Sequence, residues 1–445
     1  MRDPHITGPK GLPLLGNLPG YLPNKLAFLS RCAAEYGDVT RLQIGEPTLL
    51  LSNPEDIKHV LVGNAANYNK TRRLNSARGK RLSGNGLLTS FGAEHLRQRR
   101  LLQPLFVQRV IERFSDVIVN RTERAMSSWH HGQQLDIARE MEHLTQAIIL
   151  GTLFGTDFRD PGDRLSLALD VRRQYIEYVY GSIFPLPELI PVRIVRQHRS
   201  ADRTIREIIA REIQSRRSCN DDSSDLLSLL INAKYPDGSG MDDAAVCDEV
   251  MTLMSTGYET IGDALSWTWF LLAGHPAVEM RMLCEIQTVL QDQVPSAVTV
   301  NDLTYTSMVL DESMRLYPPT WIFVRMAMED DVLPGGAMVP AGAKIYLCQY
   351  VVHRHPSYFP DPDQFDPGRF SPESIEQRPR FAYFPFGGGP RTCIGEVLAR
   401  LEGVMILAML ARRFQFESVR GRNVVPYPGI TLRPRSGIHV KLKSR

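Results

Sequence analysis

The chain has no C-x-x-C pair: Cys32, Cys219, Cys247, Cys284, Cys348 and Cys393 are scattered singly through 445 residues. That spacing excludes a zinc ribbon, an iron-sulfur cluster and a disulfide framework, and it predicts a reducing compartment. No apolar run reaches the roughly 18 residues of a membrane span, the richest being Ala264 to Gly274 and Val404 to Ala411. Neither sign of charge dominates, since 52 Lys plus Arg against 49 Asp plus Glu leave +3, too little for nucleic acid as the main partner. Repeats, low-complexity tracts and charge blocks are missing, so nothing marks a linker. Only seven residues precede the turn-rich segment Gly8 to Gly20, which predicts no leader or anchor. The expectation is a soluble, cytoplasmic protein without a membrane span.

With 43% hydrophobic and 23% charged residues, the composition is that of an ordinary globular chain. Gly37 to Ser52 carries two β-type runs around Gly45-Glu46-Pro47, which predicts a hairpin. Apolar residues at three and four spacing then predict helices near 54–63, 92–114, 115–130, 134–155, 164–183 and 199–217. Between the last two, Phe184 to Pro191 holds three prolines and cannot be helical throughout. Residues 242–274 predict one helix about 50 Å long, a central spine. Further helices are expected over 307–316, stopped by Tyr317-Pro318-Pro319, and over 394–413, with a hairpin-like tail at 430–442. The fold class is mainly α with small β-sheets, in a single large domain spanning 1–445.

The sharpest feature is Phe386-Gly387-Gly388-Gly389-Pro390-Arg391-Thr392-Cys393-Ile394-Gly395. A glycine-rich approach lets backbone pass close to a large planar ligand, and a helix start stabilises a thiolate. Of the six cysteines, only Cys393 combines these features.

This segment resembles the haem signature F-x-x-G-x-R-x-C-x-G of the cytochrome P450 family, whose fixed elements around the cysteine are all present. The resemblance implies the cytochrome P450 fold and haem b with Cys393 as its thiolate ligand, a ligand that favours cleavage of the O–O bond. Phe386, Gly387, Arg391 and Gly395 would belong to the cofactor site. Glu312-Ser313-Met314-Arg315, with Phe365 to Phe370 downstream, resembles the family's buried Glu-Arg-Arg network, which is structural; Gly368 stands where the family often has Glu. Thr256-Gly257-Tyr258-Glu259-Thr260 resembles the family's oxygen-binding helix motif. Glycine beside a threonine that can bond the Thr256 carbonyl is a recipe for a bend, and Glu259 and Thr260 would relay protons to dioxygen. For the haem propionates the resemblance implies Arg391, Arg325 and the pair His95 and Arg99, where W-x-x-x-R reads His-x-x-x-Arg.

The resemblance covers nearly the whole chain and implies a haem-thiolate monooxygenase. It would insert one oxygen atom from dioxygen into a lipophilic metabolite such as a terpenoid, polyketide or fatty acid. Pocket-lining positions would be Leu253, Thr256 and Gly257, Thr320 to Phe323, and Gly429 to Thr431. Some 50 residues follow Cys393 without a flavin, nicotinamide or iron-sulfur motif, so electrons would come from separate ferredoxin and ferredoxin reductase type donors. Arg97, Arg100 and Arg400 would serve as the docking cations. Two alternatives stay open: peroxide-driven, coupling or isomerase-type chemistry on the same fold, and a non-catalytic haem-binding protein. Glu259 and Thr260 count against chemistry without dioxygen.

Overall fold

The computed structural model describes residues 6–71, 76–155, 158, 163–181, 192–219, 225–419 and 423–445. The proline loop expected at 184–191 lies outside them. The chain divides into two compact units.

The first unit comprises Met1–Leu74, Tyr305–Cys393 and Thr431–Arg433. Its centre is a five-stranded sheet in the spatial order Val39–Ile44, Glu46–Leu51, Lys344–Leu347, Phe323–Ala327, Tyr68–Asn69. The first two strands are the expected hairpin, turning at Gly45 with φ +75°. Glu46–Leu51 runs parallel to Lys344–Leu347 and both are apolar on successive residues, so each face of the sheet meets a core. Leu49, Leu51, Ile345 and Leu347 join one apolar cluster, and Leu50 and Tyr346 the other.

Beside this sheet the helix Thr304–Leu316 ends before the two prolines, as expected. Arg315 donates to both oxygens of Glu312, at 2.6 and 2.8 Å, and to the carbonyls of His353, Pro362 and Gln364. Glu312 also accepts from Asp366 N at 2.9 Å and lies 3.6 Å from Arg369. The Glu-Arg-Arg network is therefore present. A fully buried ion pair is tolerable only because these extra bonds satisfy both ions.

The second unit comprises Asn75–Thr304, Ile394–Ile430 and Pro434–Arg445. Helices Ile137–Phe154, Glu259–Gly274 and Glu396–Arg413 supply much of its core. The single spine expected over 242–274 is two helices, Asp243–Gly257 and Glu259–Gly274, parted at Tyr258. The helix expected from 134 begins at Ile137, because Gln134–Asp136 is a strand paired with His439–Lys441. The two strands of the expected tail hairpin do not pair with each other: Leu432–Pro434 pairs with Pro426–Pro428, and His439–Ser444 lies between Gln134–Asp136 and Phe414–Ser418. Period-2 patterning marks a strand without naming its partner, and here one partner is the nearby Phe414–Ser418 while the other comes from far earlier in the chain. The helix Pro276–Leu290, with proline in its first turn, was not anticipated. Back in the first unit, the segment 54–63 starts as a helix at Pro54–Lys58 and widens into a π-turn, His59–Gly63.

Candidate functional site

In the first unit, the loop ending at Cys393 is shaped by backbone contact. Gly389 has φ +66°, and a Cβ there would lie 1.9 Å from the Leu61 carbonyl oxygen. At Gly388 it would lie 2.5 Å from the Phe381 ring. Only glycine lets the loop and the Leu61 turn approach so closely. Cys393 N donates to Phe386 O at 2.9 Å, which closes the loop and leaves the cysteine exposed. Gly395, the N-cap residue of Glu396–Arg413, follows two positions later.

The wall behind the loop is the π-turn, closed by Asn64 N donating to His59 O at 2.7 Å. One carboxylate oxygen of Asp331 anchors it, taking bonds from Tyr68 OH (2.7 Å), His59 Nε2 (2.9 Å) and Asn64 Nδ2 (3.1 Å). Burial works to raise this carboxyl, but the three bonds outweigh it and hold Asp331 below its ordinary value.

Three cations gather in the same unit. Strand Tyr68–Asn69 pairs antiparallel with Phe323–Ala327 through Tyr68 and Ala327, then Asn69 and Met326, and continuing that register sets Lys70 opposite Arg325. Burial lowers the Lys70 ammonium well below its usual value, and Arg391 and Arg325 lower it further. Burial and then Arg391 push Arg325 down to about 10, and burial pushes Arg391 to about 10. Arg325 donates one bond to the Val324 carbonyl at 3.1 Å, and Arg391 Nη1 is buried. Like charges held close in partly buried positions repel one another, and an anion placed among them lowers that cost. A ligand with carboxylates, and a flat body tolerant of the glycine approach, fits this donor set. Sequence reasoning named Arg325 and Arg391 but missed Lys70, for which the strand register was the signal.

In the second unit, the long helix is loosened by a ladder of hydroxyls. Thr252, Ser255, Thr256 and Thr260 donate to the carbonyls of Asp248, Met251, Thr252 and Thr256 at 2.9, 2.7, 2.8 and 3.2 Å. Such back-bonding competes with the helix's own amides and bends it. At the break, the Thr145 hydroxyl donates to the Tyr258 carbonyl at 3.0 Å. Gly257 and Gly262 face the helix Ile137–Phe154, where a Cβ would meet Ile149 at 2.9 Å and Thr145 at 3.0 Å. Glu259 and Thr260 are half-buried just past the break. Burial opposes the charge of Arg173, but Glu142, 3.2 Å away, and Glu259 raise its pKa.

A second network reaches this helix from above its break. Arg172, almost wholly buried, donates to Ser255 Oγ at 2.5 Å and to Leu82 O at 2.7 Å, with Asp202 at 3.9 Å. Arg206 bridges Asp202 and Asp248, at 3.1 and 3.2 Å. Asn85 N and Leu87 N donate to Asp248 and Glu249, at 2.8 and 3.0 Å. Burial raises Glu249 to about 7, against its bond from Leu87 and with help from Asp248. The glycine-flanked segment 84–87 is thus fastened to the long helix.

Of the residues expected in a site, Arg325, Phe386, Gly387, Arg391 and Cys393 lie in the first unit, and His95, Arg99, Glu259, Thr260 and Gly395 in the second. On helix Gly92–Leu102, His95 is buried and Arg99, one turn on, donates to Gln103 at 2.6 Å.

A family model described as cytochrome P450 matches residues 6–442. The chain belongs to the cytochrome P450 family. Its relatives include a cyclooctatin synthase of Streptomyces melanosporofaciens, 35% identical over 96% of this chain and 93% of that one. Another from the same organism, cyclooctat-9-en-7-ol 5-monooxygenase, is 34% identical over 96% and 91%. A pentalenene oxygenase of Streptomyces avermitilis is 29% identical over 99% and 97%. The crystal structure of the cytochrome P450DA haem domain matches the fold with a TM-score of 0.87 at 24% identity, covering 99% and 97%. As a cytochrome P450, the chain is a haem-thiolate monooxygenase that takes dioxygen, a lipophilic small-molecule substrate and electrons from redox partners. Its cofactor is haem b, with a cysteine thiolate as axial ligand. Among the described residues, no helix is long and apolar enough to cross a membrane.

Proposed function

We propose that this chain, working as one haem domain in the cytoplasm, oxygenates a cyclic terpenoid, with Cys393 as the axial thiolate. The observation that carries the site is the cluster of half-buried Lys70 and Arg391 with buried Arg325 in the unit whose glycine loop ends at Cys393. Lys70, Arg325 and Arg391 would hold the propionates, as would His95 and Arg99, and Phe386, Gly387 and Gly395 would belong to the same cofactor site. Bound haem supplies the iron at which dioxygen is activated. Thr260, whose hydroxyl holds the Thr256 carbonyl, keeps the long helix open beside Gly257 and orders a proton donor there. Glu259, half-buried beside Arg173, passes protons inward from solvent.

The terpenoid class rests on the relatives, two of which are named for oxygenation of cyclooctat-9-en-7-ol and pentalenene. The ferredoxin-type donor rests on exposed cations, Arg97 and Arg100; Arg97 also pairs with Asp237 at 3.3 Å, and Arg400 with Glu396.

The test has two arms. Cys393→Ser should abolish the long-wavelength band of the reduced carbon monoxide complex, and an unchanged band removes Cys393 from the ligand role. Cyclic terpene alkenes and alkenols, titrated into the wild type, should shift the haem from its water-bound to its substrate-bound spectrum. A response to fatty acids with none to cyclic terpenes would overturn the substrate class alone.

A further inference from the structure

The first unit carries an apolar surface that the oxygen chemistry does not use. Leu12-Pro13-Leu14-Leu15-Gly16 closes a tight turn. Leu12 and Gly16 exchange both backbone bonds at 2.8 Å, and Leu15 N donates to Pro13 O at 2.7 Å. Leu14, at the tip, has φ +62° and a fully exposed side chain, 102% of its reference area. A left-handed backbone is strained for an L-residue, and glycine would avoid that strain. Leu12, Leu15 and Leu22 are 55%, 53% and 41% exposed, with exposed Pro13, Pro19 and Pro23 among them.

The base of this turn is fixed. Asn17 is buried, exchanges backbone and side-chain bonds with Gln43 at 2.8 and 2.7 Å, and donates from its amide to Pro9 O at 3.2 Å. Single exposed leucines need no explanation, whereas a cluster on a strained, well-anchored turn marks an interaction site.

Charge identifies the occupant. Between Asp3 and Glu35 there is no Asp or Glu, and Lys10, Lys25 and Arg31 are the charged side chains. A second copy of this chain would bring one cationic rim against another. An anionic bilayer offers phosphates to the cations and an acyl boundary that accepts a convex tip of any shape.

We propose that the Leu12–Gly16 turn is a peripheral docking element for anionic lipid surfaces, with Leu12, Leu14, Leu15 and Leu22 entering the acyl boundary and Lys10, Lys25 and Arg31 meeting the phosphates. The contact is reversible, and it brings the enzyme to the phase in which a lipophilic substrate dissolves. It does not depend on the terpenoid assignment.

The experiment is co-sedimentation of the haem-loaded full chain with vesicles of phosphatidylcholine, alone or mixed with phosphatidylglycerol in equal parts. Binding should favour the mixed vesicles and weaken with salt. Leu14→Ser with Leu15→Ser should lower the partition by roughly tenfold per leucine, and Lys10→Ala by a smaller factor. Val294→Ser with Val298→Ser removes two side chains exposed by 53% and 72% elsewhere and should leave partition unchanged. Leu14→Gly should melt no lower than wild type while binding vesicles less. No binding of the wild type to mixed vesicles, or equal binding by the leucine pair variant, overturns the proposal. So does a wild-type dimer in the ultracentrifuge that the leucine pair variant converts to monomer, since the occupant is then a second copy.

Discussion

The loop that ends at Cys393 and the break at Tyr258 each open a local gap in the chain, by opposite means. The loop does it with missing atoms: at Gly388 and Gly389 backbone and ring contacts fill the space a side chain would take. The helix break does it with added groups, a ladder of hydroxyls that draw carbonyls off the helix axis and a Thr145 hydroxyl that donates to the Tyr258 carbonyl. At Gly389 the contact is backbone against backbone and has no give, because neither partner has rotamers. A gap defined by side chains can adjust.

Two glycine substitutions break this comparison most directly. Gly389→Ala forces a Cβ onto a carbonyl oxygen at 1.9 Å and strains a φ of +66°, so it should cost at least about 3 kcal/mol and release haem on purification. Gly257→Ala meets only the side chain of Ile149, its Cδ1 at 2.9 Å and its Cγ1 at 3.0 Å, on a helical backbone. Rotation of Ile149 and the better helix propensity of alanine should hold its cost below about 1 kcal/mol. Thermal melts and haem content of both proteins check the pair, and equal losses would show that the two gaps are equally rigid.

Arg172 comes next, because the side-chain network gives the break its fixed surroundings. Arg172→Met removes the donor to Ser255 and Leu82 and leaves Asp202 facing Arg206 alone; a cost of about 2–4 kcal/mol is expected. Arg172→Lys keeps the charge but cannot fork to two partners, so it should recover only part of that loss. Denaturant titration reads both, and a cost under about 0.5 kcal/mol for the Met variant would make the network ornamental.

Lys70 sharpens the contrast from the loop side. Lys70→Met relieves the repulsion with Arg325 and Arg391, so the haem-free protein should be more stable, by about 1 kcal/mol, while haem binds more weakly. Opposite signs in the apo melt and in haem transfer to apomyoglobin would support the assignment; the same sign in both would remove Lys70 from it.

These residues also show what sequence could and could not reveal. The glycine loop, the Glu312 and Arg315 pair, and the Thr260 bond to Thr256 were legible, because each is written within a few consecutive residues. Lys70 beside Arg325 was not, since it depends on a two-residue strand pairing across the chain. The Arg172, Asp202 and Asp248 network was hidden likewise, as salt-bridge partners on separate helices leave no periodic mark. The tail misled for the same reason: alternation announced strands, but the partner at Gln134–Asp136 lies some 300 residues away.

The effect confined to one pH range is on the helix side, near zero at pH 5 and growing toward pH 8. Glu249 accepts the Leu87 amide at 3.0 Å, and its second oxygen is buried without a hydrogen-bond partner. Burial raises its folded-state pKa from 4.5 to about 7. The folded protein therefore holds a proton that the unfolded chain has lost, and the stability this gives is complete below about pH 4.5 and falls as pH rises through about 7. Glu249→Gln keeps an oxygen for Leu87 and can never ionise. Against wild type it should be near neutral at pH 5 and more stable at pH 8, by about 1–3 kcal/mol. Glu402, raised by burial in the same direction, contributes its own slope, so the wild-type curve should flatten in Glu249→Gln without becoming level, and level out further when Glu402→Gln is added. Urea titrations at pH 5, 6, 7 and 8 check this. A variant curve parallel to wild type would mean that Glu249 is ionised throughout, with water reaching the Leu87 contact.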